Sequence, residues 1–459
     1  MLTQTATQFR DVNSSTICDV VVGLDFGTSC SKVVLQSPYF ADRRAMLVCF
    51  GDHGHPINNH LLPTRLFYDA QGNCSLSVSA NSFCATGLKL KLLLDSDSAE
   101  SLSDFMVSPR TLTIAYIALV LRLAKSWFIK TQSSIYGHFS IRWHFNIGIP
   151  SPGYDDLKLK ELFRSIAIDA WRFSLDDNPV SLAKIWRHLG GDFKLGQKLN
   201  IDPGDIQVLP EIIAEVLGYV KSHAREDGLH VLIDIGASTI DISGFTLGDH
   251  KGEDRYAFLT SDLAHLGAYK CHQERVRLVK EHLHRWFAHL AGRQDLILPI
   301  VSSLSEYFPK LDDFGSNAER EVLDEFYWRC RSLIHRTLKS LRQDRDPRSE
   351  KWQIGLPIFL CGGGKYLRIY RQVLDDINEF WKTSMNTQGL DIRNLPRPND
   401  KLVAESLDEQ NFDRFAVAYG LSFPYYDVGE IKPPGSIENI VIDPTSKYSH
   451  IEMVSKDMV

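Results

Sequence analysis

The stretch VVVGLDFGTSCSKVVL (residues 20–35) has a counterpart in the second half of the chain, HVLIDIGASTIDISGF (residues 230–245). Both contain an apolar run, an aspartate, an apolar residue, a glycine, any residue, a serine and further apolar residues. The matching positions are Asp25 and Asp234, Gly27 and Gly236, and Ser29 and Ser238. Because β-branched runs on either side of a glycine-containing break are typical of two strands joined by a turn, each stretch predicts a β-hairpin. Two similar hairpins so far apart in the chain predict two related halves that face each other.

The first hairpin has the residues that a phosphate-binding turn requires. Gly27 has no Cβ, so its backbone can approach a ligand closely, and the N–H groups of residues 28–30 are expected to form an anion-binding turn. Asp25 places a carboxylate beside the phosphates, and Mg²⁺ needs only one or two carboxylates plus phosphate oxygens. The second hairpin offers Gly236, Ser238 and Thr239 with the carboxylates Asp234 and Asp241. For either hairpin alone a plain β-turn is the alternative, but the matched pair favours a shared phosphate site.

The rest of the chain alternates between predicted strands and helices, which favours an α/β architecture. Residues 141–150 predict a buried strand, and residues 206–209 predict a short strand before a helix over residues 211–220. Residues 358–370 predict a strand, a triple-glycine turn and a helix. Further predicted helices cover residues 111–128, 155–171, 276–290, 319–341 and 413–421, and from residue 424 onward the chain is interpreted as a tail.

The composition is that of a globular protein and argues against several classes. The chain has 459 residues, 44% apolar and 24% charged, and its length suggests roughly two to four domains. Its net charge of −6 argues against nucleic-acid binding, which usually requires a basic excess. The cysteines include no C-x-x-C pair. Neither a zinc site nor a disulfide framework is therefore indicated, and reduced thiols are expected.

No targeting or membrane-spanning segment is evident in the sequence. The N-terminus lacks the basic start and apolar core of a secretory signal. The longest apolar stretch, residues 112–121, is interrupted by Arg122 and is shorter than the about 20 residues that span a bilayer. We therefore expect a buried amphipathic helix there, a cytoplasmic protein and no membrane partner.

A histidine-rich segment raises the question of a metal site. It contains His265, His272, His282, His284 and His289. Because His282 and His284 are two positions apart on a predicted helix, they cannot share a face. A solvated helix surface is therefore favoured over a metal site.

Five segments together resemble the motifs of the ATPase superfamily that includes actin, sugar kinases and the seventy-kilodalton heat-shock chaperones. DFGTSCSK (residues 25–32) is similar to the first phosphate motif, and DIGASTIDIS (residues 234–243) is similar to the second. VLPEIIAEVLGY (residues 208–219) and FAVAYGLSF (residues 415–423) resemble the two connecting helices, and LCGGGKYLRIY (residues 360–370) resembles the adenosine motif. The segments stand in the family order, and the chaperone nucleotide-binding domain is the favoured member.

The resemblance implies a fold and a domain organisation. The implied fold is α/β, with two ribonuclease H-like (actin-like ATPase) lobes, each a mixed sheet flanked by helices, and a nucleotide cleft between them. Residues 1–225 would form the N-terminal lobe, with an inserted subdomain at about residues 41–110 and the first connecting helix at its end. Residues 226–423 would form the C-terminal lobe, with an inserted helical subdomain at about residues 271–350. Residues 424–459 would form the tail.

The resemblance also implies ATP or ADP and Mg²⁺ as ligands. Asp25 and Asp234 would bind the metal, and with Glu211 and Asp241 they would form the catalytic group that orients the attacking water. The implied nucleotide-binding residues are Gly27, Thr28, Ser29, Lys32, Gly236, Ser238, Thr239, Arg336, Gly362, Gly363, Gly364 and Tyr366. The three glycines of the adenosine motif would let the nucleoside lie against the backbone. Tyr366 and Arg336 would stack on the adenine ring.

Several of these positions have a second interpretation. Glu211 matches an acidic residue near the attacking water in the chaperones, but the helix dipole also favours a glutamate at a helix N-terminus. Lys91 matches a phosphate-contacting lysine, and a solvated lysine is the favoured alternative. Ala237 and Ser238 stand where the chaperones have glycines. If that turn required positive φ, each side chain would cost about 1 kcal/mol and would affect fast hydrolysis more than binding.

The expected function is that of an ATP-binding, heat-shock-chaperone-like ATPase domain that acts as a nucleotide-driven conformational switch, without a separate peptide-binding domain. A protein partner would contact the lobes or the tail. One alternative is a filament-forming, plasmid-segregation-like actin homologue, which would self-assemble. Another is a small-molecule kinase, which the second motif fits poorly. A P-loop is excluded because the glycines before Lys365 have the wrong spacing, and the same segment lacks the third glycine of a dinucleotide fingerprint.

Overall fold

The computed structural model describes residues 16–40, 44–55, 58–94, 100–102, 105–150, 156–192, 202–283, 323–385, 387–398, 402–403 and 409–432. In these ranges the strands, numbered along the chain, are β1 (Ile17–Asp25), β2 (Cys30–Gln36), β3 (Ala45–Leu47), β4 (Leu62–Pro63), β5 (Arg65–Tyr68), β6 (Cys74–Ser75), β7 (Phe83–Thr86), β8 (Glu100–Leu102), β9 (Phe105–Val107), β10 (Ser140–Ile149), β11 (Ile206–Pro210), β12 (Gly228–Ile235), β13 (Ile240–His250), β14 (Glu253–Ala264), β15 (Leu356–Cys361), β16 (Leu390–Arg393), β17 (Leu402–Val403) and β18 (Glu430–Lys432). The α-helices are α1 (Leu88–Leu94), α2 (Pro109–Tyr136), α3 (Leu157–Leu175), α4 (Leu182–Leu189), α5 (Glu211–Val220), α6 (Ala268–Leu283), α7 (Asp324–Ser340), α8 (Lys351–Ile354), α9 (Arg368–Ser384) and α10 (Ala416–Leu421).

Two mixed sheets dominate the fold, and they share one pattern of strands. The first has the order β11-β10-β1-β2-β3-β17, with β4 also paired to β2, and the second has the order β16-β15-β12-β13-β14-β18. In each sheet the first three strands are parallel, the third to fifth are antiparallel neighbours, and the sixth is parallel to the fifth. The repeated sequence motif occupies the third and fourth strands of both. The predicted α/β class, with mixed sheets flanked by helices, is therefore confirmed.

The apolar side chains form three cores that the sheets separate. In the first, β1 and β10 pack against α2 and α3. In the third, β12 and β15 pack against α7 and α9. The second lies between the sheets and contains α5 and α10 with residues of both sheets. Because side chains alternate along a strand, Val231 and Ile233 of β12 belong to the outer core and Leu232 belongs to the central one. The layers are therefore helix, sheet, helix, sheet, helix.

The two central helices cross at a glycine. A Cβ on Gly420 of α10 would lie 1.8 Å from the carbonyl oxygen of Ala214 in α5, so only glycine permits this approach. α10 is also fastened to the first sheet, because the side chain of Asn146 in β10 donates hydrogen bonds of 2.8 Å to the carbonyl oxygens of Leu421 and Phe423. These contacts hold α5 and α10 in fixed positions between the sheets.

α2 shows how the local sequence starts a long helix. Ser108 and Thr111 form a capping box, and Pro109 stands in the first turn, where its missing N–H loses no hydrogen bond. The helix has 28 residues and is long and apolar enough to cross a membrane by length and composition alone. This finding corrects the expectation that the apolar stretch there is too short. However, 67% of the most apolar 18-residue stretch of this helix is buried inside the protein, as is usual for a helix of a protein core.

The predicted domain boundaries differ from the structure in three places. β3, inside the predicted insertion at residues 41–110, is a strand of the first sheet. β17 and α10 lie within residues 226–423, yet β17 pairs with β3 and α10 packs on β1. The predicted helical insertion at residues 271–350 is described only in part. There, the apolar side chains of α7 cover the second sheet and belong to its core.

Part of the predicted tail belongs to the second sheet. β18 pairs in parallel with β14, and Glu430 forms an ion pair with Arg255 at 3.2 Å. Val428 is buried in the central core. A tail is therefore wrong for residues 424–432, because this segment covers the edge of β14. The remaining tail, the end of the helix predicted over residues 276–290 and the start of that over 319–341 lie outside the described residues.

Candidate functional site

A cleft of about 370 Å³ lies where the repeated hairpins of the two sheets meet. Its walls include the turn between β1 and β2, the turn between β12 and β13, and the glycine turn after β15. The predicted site residues that line it are Asp25, Gly27, Thr28, Ser29, Lys32, Glu211, Asp234, Gly236, Ser238, Thr239, Gly362, Gly363, Gly364 and Tyr366. The fold thus brings together segments that are far apart in the chain.

The turn between β1 and β2 is fixed by Thr64, a residue that the sequence analysis does not single out. The Thr64 hydroxyl donates to the carbonyl oxygen of Gly27 at 2.8 Å, and its N–H donates to that of Ser29 at 2.8 Å. A Cβ on Gly27 would lie 2.3 Å from the carbonyl oxygen of Cys30, so this turn requires glycine. The result is a tight backbone loop whose residues 27–30 line the cleft.

Asp25 and Lys32 face each other across this hairpin. They are register partners in the β1–β2 pair, and Lys32 Nζ lies 2.7 Å from Asp25 Oδ2. Burial would lower the pKa of Lys32, but the charge and the hydrogen bond of Asp25 raise it overall. Lys32 is therefore charged, and the pair places a compensated carboxylate at the wall of the cleft.

The turn between β12 and β13 is fixed by the start of α6. The N–H of Gly236 donates to the carbonyl oxygen of Thr239 at 2.9 Å and closes the turn. The N–H groups of residues 267–269 donate at 3.1, 3.0 and 2.7 Å to the carbonyl oxygens of Ser238, Gly236 and Ala237, respectively. Neither Ala237 nor Ser238 has positive φ. The side chains at these two positions therefore cause no left-handed strain.

Glu211 begins α5 and faces the cleft beside a lysine from α1. Lys89 Nζ lies 2.5 Å from Glu211 Oε1, and Lys89 is only 7% exposed. Burial raises the pKa of Glu211, and the charge of Lys89 opposes part of that rise. Lys91, the predicted phosphate lysine, is exposed and does not line the cleft. Because residues two positions apart on a helix point in different directions, α1 brings only Lys89 to this wall.

Two further carboxylates lie in the cleft. Burial raises the pKa of Asp234 to about 7. Lys32 opposes this rise in pKa, whereas the charges of Glu211 and Asp25 add to it. Glu215 is buried, and burial followed by the charge of Asp234 raises its pKa well above the usual range. No sequence motif points to Glu215, although its position four residues after Glu211 places both on one face of α5.

The glycine turn after β15 has two packed positions and one open position. Gly362 has a φ of 82°, and a Cβ there would lie 2.1 Å from Asp234 Oδ1. A Cβ on Gly364 would lie 2.4 Å from Ile235 Cγ2. A Cβ on Gly363, by contrast, would have no neighbour closer than 4.0 Å. The turn is therefore packed on the end of β12, and Gly363 leaves open space for a ligand.

The segment before α10 supplies further polar groups. Lys365 Nζ lies 3.0 Å from Asp413 Oδ1, and both side chains are buried. Burial raises the pKa of Asp413, and Lys365 opposes that rise. Arg414 is half-buried and lines the cleft. The sequence analysis misses Asp413 and Arg414 because the motif that resembles the second connecting helix begins at Phe415.

Two predicted site residues do not line the cleft. Arg336 lies on α7, with its side chain 69% exposed and 3.5 Å from Asp262. Because α7 covers the outer face of the second sheet, Arg336 is on the wrong side of that sheet to stack on a ligand in the cleft. Asp241 is the register partner of Asp234 in the β12–β13 pair, which places it one strand further away.

The carboxylates of the cleft do not form a ready-made metal site. In the part of the chain that the structure describes, no group of three or more His, Cys, Asp and Glu side chains could hold a metal ion. Asp25 and Asp234 both line the cleft, and two carboxylates are enough for Mg²⁺ when phosphates and water complete its coordination. Of the histidine-rich segment, His284 and His289 lie outside the described residues.

A comparison of the chain with models of known protein families finds no match, and a comparison with curated proteins finds none either.

Proposed function

We propose that the protein is a Mg²⁺-dependent ATPase of the actin-like superfamily, with a heat-shock-chaperone-like domain that acts as a nucleotide-driven conformational switch. One observation carries the proposal. The turn between β1 and β2, the turn between β12 and β13 and the glycine turn after β15 all line one cleft. These are the segments that resemble the two phosphate motifs and the adenosine motif.

The strand pattern of the two sheets supports a pair of related, ribonuclease H-like lobes. Both sheets have the same sequence of parallel and antiparallel neighbours, and the phosphate-motif hairpin occupies the same two positions in each. α5 and α10, the segments that resemble the connecting helices, lie between the sheets. A duplicated unit with a ligand site at the junction accounts for all three features.

The size and shape of the cleft suit a nucleotide. Its volume of about 370 Å³ lies within the range of about 300–1,000 Å³ for small-molecule sites. Gly363 leaves room for the nucleoside to lie against the backbone. The tight turn at residues 27–30 offers backbone to the phosphates, as an anion-binding turn does.

The donor set fits a magnesium ion that arrives with the nucleotide. Asp25 and Asp234 would hold it, since both carboxylates line the cleft. A bound magnesium ion would neutralise phosphate charge and help to position the phosphates. Binding would also compensate Asp234, whose pKa burial raises to about 7 in the unliganded protein.

For hydrolysis, a water would attack the terminal phosphorus, forming a new P–O bond while the bond to the bridging oxygen breaks. We assign Glu211 as the group that orients this water and accepts its proton. Its raised pKa suits a proton acceptor, and Lys89 at 2.5 Å holds the carboxylate in place. The leaving oxygen belongs to ADP, which takes the electron pair of the broken bond.

Loss of the terminal phosphate would remove contacts that join the two hairpin turns. The sheets would then be free to change their relative position about α5 and α10, which lie between them. ATP would thus favour one arrangement and ADP another.

Calorimetry with Mg²⁺ and ATP tests the proposal. We expect Asp25→Ala and Asp234→Ala to weaken binding at least about tenfold, because a charged contact contributes about 1.5–3 kcal/mol. Asp177→Ala, a change at an exposed residue outside the cleft, serves as the matched control. Unchanged binding in both cleft variants would reject the site assignment.

Phosphate release separates the proposal from its alternatives. We expect the wild type to release phosphate without any acceptor molecule and Glu211→Gln to retain ATP while losing about 10²–10⁴-fold in rate. An absolute need for a hydroxylated acceptor would favour a kinase instead. If the protein pellets in the ultracentrifuge when ATP is present and stays in solution when it is absent, the filament-forming alternative is favoured.

A further inference from the structure

The positive groups of the cleft region differ in whether a carboxylate already holds them. Lys32 pairs with Asp25 at 2.7 Å, and Lys89 pairs with Glu211 at 2.5 Å. The third lysine, Lys365, is held by Asp413, as described above. A phosphate that contacts one of these lysines therefore shares it with a carboxylate that already compensates its charge.

Arg414 is the exception. It lines the cleft, and across the described ranges no hydrogen bond and no ion pair within 4 Å involves its guanidinium. A half-buried guanidinium with five N–H donors and no acceptor among the described residues is suited to bind a planar or tetrahedral oxyanion. No carboxylate of the described ranges has to be displaced before an anion binds there.

The position of Arg414 relates it to both sides of the cleft. A Cβ on Gly363 would lie 4.0 Å from Arg414 Nη2, so the guanidinium stands beside the open part of the glycine turn. On the other side, burial raises the pKa of the Cys30 thiol, and the charges of Lys32 and Arg414 oppose that rise. Arg414 therefore lies beside the turn assigned to the nucleoside, in the same cleft that the turn assigned to the phosphates lines.

We propose that Arg414 is the phosphate-binding cation of the unliganded cleft, contacting the phosphate groups nearest the nucleoside. The inference rests on the proposed nucleotide-binding function, which assigns the two turns on either side of it. It adds a residue that lies outside every motif the chain resembles. It also predicts that Arg414 binds phosphate before any magnesium ion is present.

Inorganic pyrophosphate and adenosine separate this role from a structural one. In calorimetry without Mg²⁺, we expect the wild type to bind pyrophosphate and Arg414→Met to bind it about 10- to 100-fold more weakly, as for a lost charge-assisted contact. Arg414→Lys should be intermediate, because lysine keeps the charge but not the two-pronged geometry. Adenosine, which has no phosphate, should bind wild type and Arg414→Met alike.

Arg187→Met, at an exposed arginine of α4 outside the cleft, is the matched control, and thermal unfolding checks that each variant is folded. Unchanged pyrophosphate binding in Arg414→Met, or no pyrophosphate binding by wild type, overturns the inference. Loss of adenosine affinity in Arg414→Met also overturns it, because the arginine would then contact the base or shape the turn. If the wild type binds pyrophosphate through Arg414 but does not bind ATP, the inference stands and the proposed ATPase function fails.

Discussion

At the scale of single residues, the carboxylates that line the cleft differ in how their charge is compensated. Glu211 has Lys89 at 2.5 Å. Glu215, one turn later on α5, hydrogen bonds to the thiol of Cys361, and no ion pair among the described residues involves it. Burial therefore favours its protonated form. A buried acid that is neutral when folded makes the stability of the unliganded protein depend on pH.

We expect Glu215→Gln to reduce that dependence. Because burial raises the pKa of Glu215 in the folded protein, the folded state binds more protons than the unfolded state. The free energy of unfolding then falls as pH rises above the unfolded pKa of about 4.3, by at most about 1.4 kcal/mol per pH unit for one carboxyl. Urea unfolding without ligand at about pH 4.5 and about pH 8 measures this, and the variant should gain on the wild type at the higher pH.

Glu253→Gln, at an exposed position on β14, is the matched control and should show no such gain. The same difference between Glu215→Gln and wild type at both pH values would contradict the prediction. It would mean that Glu215 has the same pKa in the folded and unfolded protein.

The glycine turn after β15 should separate ligand binding from folding. The Cβ of Gly363→Val would have no neighbour closer than 4.0 Å, so we expect an unchanged free energy of unfolding within about 0.5 kcal/mol and markedly weaker nucleotide binding. Gly364→Ala instead meets Ile235 at 2.4 Å and should cost about 1–3 kcal/mol of stability. Urea unfolding and calorimetry with Mg²⁺ and ATP on both variants measure the two effects. Full ATP affinity in Gly363→Val would show that the nucleoside does not lie against this turn.

At this scale the sequence predicts backbone motifs better than side-chain neighbours. An Asp-x-Gly-x-Ser pattern suffices to identify both hairpin turns, because a glycine-containing break between β-branched runs marks a turn. Whether Lys89 or Lys91 faces the cleft depends on the rotation of α1, which two lysines separated by one residue do not determine. The position of Arg336 could not be predicted for a related reason. The sequence predicts its helix, but it does not show that this helix lies on the outer face of the second sheet.

At the scale of elements, the crossing of α5 and α10 determines how closely the two sheets approach. Both helices have small residues at the contact, and the backbone of one touches the backbone of the other at Gly420 and Ala214. A side chain there would push the helices apart, and with them the cores on both sides. The crossing is therefore more sensitive to added volume than an ordinary side-chain contact.

We expect Gly420→Ala to destabilise the protein by about 1–3 kcal/mol through overpacking. This loss should appear although alanine is intrinsically favoured over glycine in a helix by about 1 kcal/mol. Gly248→Ala, in β13 with no atom within 4 Å of the added Cβ, is the matched control and should be neutral. Urea unfolding gives both values. A stabilised Gly420→Ala would mean that the helices can separate without loss.

Elements with a strong local pattern are predicted well, and elements defined by a partner are not. The short strand over residues 206–209 and the helix over residues 211–220 agree with β11 and α5, because Pro210 marks the boundary between them. The strand, turn and helix over residues 358–370 also agree with the structure. β18 has only three residues, and only the edge of β14 makes it a strand. β17 depends in the same way on β3. It follows residue 225 in the chain but belongs to the first sheet, so a single boundary near that residue assigns it to the wrong lobe.

At the scale of the whole molecule, the two sheets meet through one shared core and one cleft. The first sheet contributes the turn at residues 27–30 and the second contributes residues 236–239 and 362–364. A ligand that contacts all three turns must therefore bind to both sheets at once. Its binding free energy would stabilise the arrangement of the sheets as well as the turns, by about 2.7 kcal/mol at a ligand concentration of 100 times the Kd.

Hydrogen exchange measured by mass spectrometry tests this joint contact directly. We expect Mg²⁺ and ATP to slow exchange in peptides that cover each of the three turns, because the backbone amides there become buried or hydrogen bonded. The hairpin end at residues 251–252, which is exposed and follows the end of β13 that is far from the cleft, is the internal control and should not change. Asp25→Ala, altered only on the first sheet, should reduce protection at residues 236–239 and 362–364 as well. Protection confined to the turns of one sheet would contradict a ligand held between them, because a nucleotide bound to one sheet alone could not couple their positions.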